Sequence, residues 1–123
     1  MSKMNEKCGV FGIFGTDEAS VHTALGLHSL QHRGQEGAGI VSFNGHNFFS
    51  IRREGLVGDN FNNANILSQL PGKTAIGHVR YSTTGESKAE NLQPLFANLA
   101  LGGFACAHNG NLTNTLSLKK ELI

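Results

Sequence analysis

Three short stretches of this sequence carry side chains suited to chemistry on a carbonyl. The first opens on Cys8, one of two cysteines, in Cys8-Gly9-Val10-Phe11-Gly12-Ile13-Phe14-Gly15. A thiol becomes a nucleophile when a nearby base or cation favours its thiolate. No His, Asp or Lys stands in catalytic register beside Cys8. Its nearest base would be its own α-amine, freed by removal of Met1 to Lys7. An α-amine titrates at about 7.7–8.0, which suits it to proton transfer near neutral pH. The plainer alternative is a cysteine that packs as a small hydrophobe at a strand edge.

The second stretch is His108-Asn109-Gly110-Asn111. The Asn109 amide and the Gly110 N–H make a reasonable donor pair for a developing oxyanion. Asn-Gly is also a hairpin signal, although Asn111-Leu112-Thr113-Asn114 reads as a helix entry rather than a returning strand. The third stretch, His78-Val79-Arg80-Tyr81-Ser82-Thr83-Thr84-Gly85, closes a strand with an arginine and three hydroxyls. Arg80 there is either a bidentate grip for a carboxylate or an exposed strand-end residue.

Two further patterns lead nowhere. His32-Arg33-Gly34-Gln35-Glu36-Gly37-Ala38-Gly39 looks like a phosphate loop, but it follows a helix and lacks the Lys-Ser/Thr ending. His28 and His32 have a metal-site spacing without an adjacent Glu or a third ligand, so packing or capping is the better reading.

Composition sets the surroundings. The 123 residues include 16 glycines and only 15 % charged residues, and the formal charge is +1. That balance gives no electrostatic case for nucleic acid or an anionic membrane. Two cysteines make neither a disulfide framework nor a four-cysteine metal site. The leader Met1 to Lys7 has no apolar core, and no stretch has the ~18 consecutive apolar residues of a membrane helix. A reducing, cytoplasmic setting is the default expectation, in which thiols stay free.

The elements that must position these residues can be read in order. A glycine-interrupted strand over 8–15 leads to a helix capped by Thr16, with Asp17 and Glu18 in its first turn. Val21, Ala24, Leu25 and His28 share a face of that helix, which runs to about Gln31 before the loop His32 to Gly37. Ala38 to Phe43 and His46 to Arg52 form a hairpin about Asn44-Gly45. Asn60 to Leu70 reads as a helix capped by Asn60 or Asn62 and ended by Pro71-Gly72. Lys73 to Tyr81 is a strand with Ala75, Gly77 and Val79 on one side, and Ser82 to Asn91 is a polar loop. Strands follow near Pro94 to Leu99 and Gly103 to Ala107, then a helix from Asn114. A single layered α+β domain with mixed or antiparallel sheet fits this order. The final helix runs into the chain end uncapped, so the sheet is expected to be incomplete within these residues.

Together these segments resemble the class II glutamine amidotransferases, and within that class the start of the amidophosphoribosyltransferase family. The blocks are Cys8 to Gly12, His32 to Gly39, His78 to Gly85, Asn91-Leu92-Gln93-Pro94-Leu95, and Ala107 to Asn114. They stand in the family's order and cover nearly the whole chain. The glucosamine-phosphate synthase branch would show Arg-Gly-Tyr-Asp-Ser and Arg-Trp-Ala-Thr. Here the residues are Arg33-Gly34-Gln35-Glu36-Gly37 and Arg80-Tyr81-Ser82-Thr83.

The resemblance implies a four-layer αββα sandwich of the N-terminal-nucleophile hydrolases, with 1–7 a leader and 8–123 the first half of a glutaminase domain. It implies that Cys8 attacks the glutamine carboxamide, with its freed α-amine as base and then acid. Asn109 and Gly110 form the oxyanion hole. Arg80, with Thr83 nearby, binds the α-carboxylate, and Arg33 with the glycines after it shapes the nucleophile's surroundings. Ammonia would pass to phosphoribosyl pyrophosphate, giving 5-phosphoribosylamine for purine synthesis. That step needs a phosphoribosyltransferase domain, with Mg²⁺, which this chain does not reach. The acid that binds the glutamine α-amine lies beyond it too, as would the ligands of an iron–sulfur cluster, so no cofactor is expected within these residues. A homo-oligomer is expected of the full-length protein. Two other readings are a non-catalytic glutamine-binding module and a glutaminase serving another acceptor.

Overall fold

The computed structural model describes residues 9–30, 35–81, 92–100 and 102–108. Along the chain these form β1 (Gly9–Phe14), α1 (Ala19–Leu30), β2 (Gln35–Phe43), β3 (Phe48–Glu54), α2 (Val57–Asn60), α3 (Ala64–Leu67), β4 (Thr74–Tyr81), β5 (Leu95–Leu99) and β6 (Gly102–Cys106). The leader, the Ser82 to Asn91 loop and the helix expected from Asn114 lie outside the described residues.

Strands β1, β4, β2 and β3 make one sheet in that order, antiparallel throughout. Side chains alternate between its faces. Ala75, Gly77 and Val79 of β4 share a face with Ala38 and Ile40 of β2, as the register Ala38↔Val79 and Ile40↔Gly77 requires. Helix α1 covers this face. It comes so close that a Cβ on Gly77 would lie 2.6 Å from Thr23 and 2.7 Å from Leu27. Leu27, Ile40 and Val79 are fully buried here, and each such aliphatic side chain contributes roughly 1.5–3 kcal/mol of burial.

That close approach decides which side of α1 faces inward, and it is not the stripe expected from the apolar spacing. Ala19, Ser20, Thr23, Ala24 and Leu27 are buried, whereas Leu25 is 63 % exposed. The sheet surface selects small side chains, and the Thr23 hydroxyl is accommodated because it donates to the Ala19 carbonyl at 2.8 Å. Val21, Ala24, Leu25 and His28 instead line a groove shared with Val57 and Phe61. The helix start differs as well. The Thr16 hydroxyl donates to the Asp17 carbonyl and its N–H to the Lys73 carbonyl, and Glu18, at φ 56°, offers its carbonyl to Val21 and His22. The two acids therefore precede the helix rather than occupying its first turn.

The helix expected over Asn60 to Leu70 is two single turns, α2 and α3, separated by Phe61-Asn62-Asn63. Asn63 is the cap, accepting from the Asn65 N–H at 2.6 Å, while the Asn60 amide donates back to the Glu54 and Leu56 carbonyls. Asparagine competes well for backbone groups, so a run of them divides a helix. At the β2–β3 hairpin, Asn44 Oδ1 accepts from the His46 and Asn47 N–H groups, Gly45 takes φ +100°, and pairing resumes at Phe43↔Phe48. The turn is at the expected place, with a longer loop than two residues.

A second antiparallel sheet, β5–β6, stacks on the other face. Phe48 bridges the layers, with its ring 4.6 Å from Phe43 and 5.2 Å from Phe96. On the outward side of this hairpin Leu95, Leu99 and Phe104 are exposed, an apolar surface of the kind a further layer covers. The α+β architecture is that of an N-terminal-nucleophile hydrolase, and three layers of the αββα order fall among the described residues.

Candidate active site

Three strand ends meet at one edge of the two sheets. Gly9, which follows Cys8 in the chain, pairs with Val79, so β1 begins beside the last residues of β4, where Arg80 stands one position before the strand's end at Tyr81. His108, which precedes Asn109, lies against β4 with its carbonyl 3.1 Å from His78 Nε2. Among the candidate residues only Arg80 is described; Cys8, Arg33, Thr83, Asn109 and Gly110 lie outside the described residues. What the structure brings together is the frame to which those residues are joined.

Arg80 is half-buried and pairs with Gly37 across β2–β4. Its Nε is buried and has no hydrogen-bond partner among the described residues. An N–H in that condition carries a desolvation penalty that a carboxylate ligand would relieve.

Gly37, expected in the loop after Arg33, stands in strand β2. β2 starts at Gln35, its register shifts between Gln35 and Gly37, and Gly37 and Gly39 point toward the second sheet. A Cβ on Gly37 would strike the Leu92 side chain, and one on Gly39 would strike the Gln93 carbonyl. The missing side chains let Leu92-Gln93-Pro94 lie flat on the sheet, where Arg52 Nη1 donates to the Leu92 carbonyl at 3.0 Å. Leu92 and Pro94 are buried there.

Two residues without an assigned role complete the frame. Gln93 Oε1 accepts from the His108 N–H at 2.7 Å. His78, 1 % exposed, faces the carbonyl of the same residue from β4. A carbonyl only accepts, so Nε2 carries the proton in this contact, and Nδ1 has no partner among the described residues. The sequence offered one signal: a histidine two positions before an arginine on a strand points to the same face.

Burial holds the His78 imidazole down, from 6.5 to about 4; the carbonyl bond to His108 acts the other way, and the charges of His108 and Arg80 add to the lowering. Above pH 6.5 neither folded nor unfolded chain protonates this group. Between 6.5 and about 4 only the unfolded chain takes up the proton, so folding stability falls as pH drops through that window. The loss is on the order of 2 kcal/mol once solvent screening is allowed for. Urea midpoints of the full-length protein at pH 7.5 and 4.5 should therefore differ more than those of His78→Gln. Equal differences would show that His78 is not buried neutral.

Among the described residues no cluster of three or more His, Cys, Asp or Glu could hold a metal, and no helix is long and apolar enough to cross a membrane.

Comparison with known proteins defines the class to which this edge belongs. The family model for class-II glutamine amidotransferases matches residues 8–122, and the chain belongs to that family. Within it, the chain is 59 % identical over 120 residues to an amidophosphoribosyltransferase from Rhizobium etli, covering 98 % of this chain and 24 % of the relative. It is 53 % identical to that of Bacillus subtilis, covering 97 % and 25 %. A solved structure described as the allosteric regulatory enzyme of purine biosynthesis superposes with a TM-score of 0.82 at 52 % identity, covering 92 % of this chain and 24 % of that one. Glutamine phosphoribosylpyrophosphate amidotransferase from B. subtilis, complexed with ADP and GMP, gives 0.79 at 51 %, with the same coverage. The chain thus spans about a quarter of the length of these relatives.

Proposed function

We propose that this segment is the glutamine-hydrolysing front of an amidophosphoribosyltransferase. The observation that supports this best is the meeting of three strand ends: β1 after Cys8, β4 at Arg80, and the exit of β6 before Asn109. In this reading Met1 to Lys7 is a leader, and its removal frees the Cys8 α-amine. That amine takes the thiol proton while Sγ attacks the carboxamide carbon of glutamine. The Asn109 side-chain amide and the Gly110 N–H hold the oxyanion. The ammonium then returns its proton to the departing nitrogen. Ammonia leaves, and a γ-glutamyl thioester remains on Cys8. Water, deprotonated by the same amine, cleaves the thioester and releases glutamate. Arg80 holds the substrate α-carboxylate, Thr83 supports it, and Arg33 lines the nucleophile's side.

The ammonia then displaces pyrophosphate from phosphoribosyl pyrophosphate, forming 5-phosphoribosylamine. That half-reaction, its Mg²⁺, an iron–sulfur cluster if one is present, and homo-oligomeric assembly belong to sequence outside these residues. A cytoplasmic setting suits a free thiol nucleophile.

The test is labelling of the full-length protein with a diazoketone analogue of glutamine, followed by mass spectrometry. The label is expected on Cys8 alone, in a chain whose first residue is Cys8. A chain that still begins at Met1 or Ser2 rules out the α-amine as base. An unlabelled Cys8 points instead to a glutamine-binding module without catalysis.

A further inference from the structure

We propose that His78 and Gln93 are positioning residues that clamp the peptide units on both sides of His108, and so fix the direction in which the chain enters Asn109-Gly110. The inference rests on the oxyanion role proposed above for Asn109 and Gly110.

The clamp has two jaws. The His108 N–H belongs to the planar unit shared with Ala107, and it is held by Gln93 Oε1 at 2.7 Å. The His108 carbonyl belongs to the next planar unit, and it is held by His78 Nε2–H at 3.1 Å. That second unit includes the N–H and Cα of residue 109, because a peptide group is rigid. With both planes held, the dihedrals at His108 have little freedom. The direction of departure toward Asn109 is then set by β4 rather than by a free loop.

Each jaw is itself secured. His78 lies in the middle of the sheet, paired with Gly39 on one side and Val10 on the other. The bare surface of Gly39 receives the Gln93 carbonyl, and Arg52 holds the adjoining Leu92 carbonyl at 3.0 Å. One jaw comes from β4 and the other from the segment just before β5, and they converge on one residue, which simple packing would not require. Such an arrangement matters because oxyanion donors act only when preorganised, and a displacement of about 1 Å can cost roughly 100-fold in rate.

The experiment compares full-length His78→Leu, Gln93→Met and His78→Gln with the unsubstituted protein. Leucine removes the donor and methionine removes the acceptor, each at similar volume, whereas glutamine retains an N–H near the position of Nε2. Glutamine hydrolysis should fall about 10- to 100-fold in kcat for the first two variants, with KM within about threefold. His78→Gln should recover to within about threefold of the parent. Amination from free ammonia should be unaffected in all three. Hydrogen–deuterium exchange over 104–110 should be faster in Gln93→Met, and this reads the clamp whether or not the segment is catalytic. Unchanged kcat in both Leu and Met variants, or a loss confined to KM, overturns the proposal. Unchanged exchange in Gln93→Met does so too, even where His78→Leu fails to fold. An unsubstituted protein with no glutaminase activity overturns the functional reading instead, leaving the exchange result to decide the clamp.

Discussion

Cys8→Ala in the full-length protein is expected to lower glutamine-dependent amination by roughly 10⁴-fold or more, while amination from added ammonia persists. Alanine leaves the carboxamide without a nucleophile, and the α-amine alone can only assist water. Free ammonia bypasses that step, since it needs no thioester. The contrast between the two nitrogen sources separates a damaged site from a misfolded protein. Undiminished glutamate release by the variant would sink the thiol mechanism. A companion version encoded to begin Met-Cys8, with residues 2–7 deleted, needs only ordinary initiator-methionine removal to free the amine. It should be as active as the processed parent. If it is active while the leader-bearing chain is not, processing is the switch.

Much of this site is legible in residue types, because the chemistry needs particular side chains. Cys8, Arg80 and Asn109-Gly110 stand out as candidates for nucleophile, carboxylate grip and oxyanion donors, each beside a plainer alternative that residue types leave open, and of these only Arg80 falls among the described residues. Two of the strands beside them also show, β1 as a glycine-interrupted apolar run and β4 by its alternation. What stays hidden is whatever depends on distant contacts. Gly37 looks like a loop glycine and Gly39 like an ordinary strand position, and the reason for both is a segment far along the chain, Leu92-Gln93, that lies across them. The inward side of α1 is hidden for a related cause. Apolar spacing favoured Val21 and Leu25, but the contact surface at Gly77 accepts Thr23 and Leu27. The clamp on His108 is invisible for another reason: its two targets are backbone groups, which leave no mark in the sequence. Asn63 caps α3, one position beyond the expected Asn62 and three beyond Asn60, because among several asparagines local pattern cannot choose.

Replacement of Arg80 should act on substrate binding, and its signature differs from that of Cys8. The guanidinium stands at the end of β4 opposite Gly37, and its Nε has no partner among the described residues. A carboxylate can approach such an arginine side-on, accepting from Nε and one Nη together. Lysine keeps the charge but loses the fork. Arg80→Lys is therefore expected to raise the glutamine KM about 10- to 100-fold, and Arg80→Met to reduce kcat/KM by roughly 100- to 1,000-fold, as befits loss of a charge-assisted pair worth about 3–4 kcal/mol. 4-Aminobutanamide, which has the carboxamide and amine of glutamine without its α-carboxylate, identifies the partner. The parent protein should hydrolyse it far less efficiently than glutamine. Arg80→Met should treat the two compounds nearly alike, because the group that distinguished them has lost its partner. Should the variant keep the parent's full preference for glutamine, the carboxylate is held elsewhere, and the buried Nε of Arg80 serves the sheet rather than the substrate.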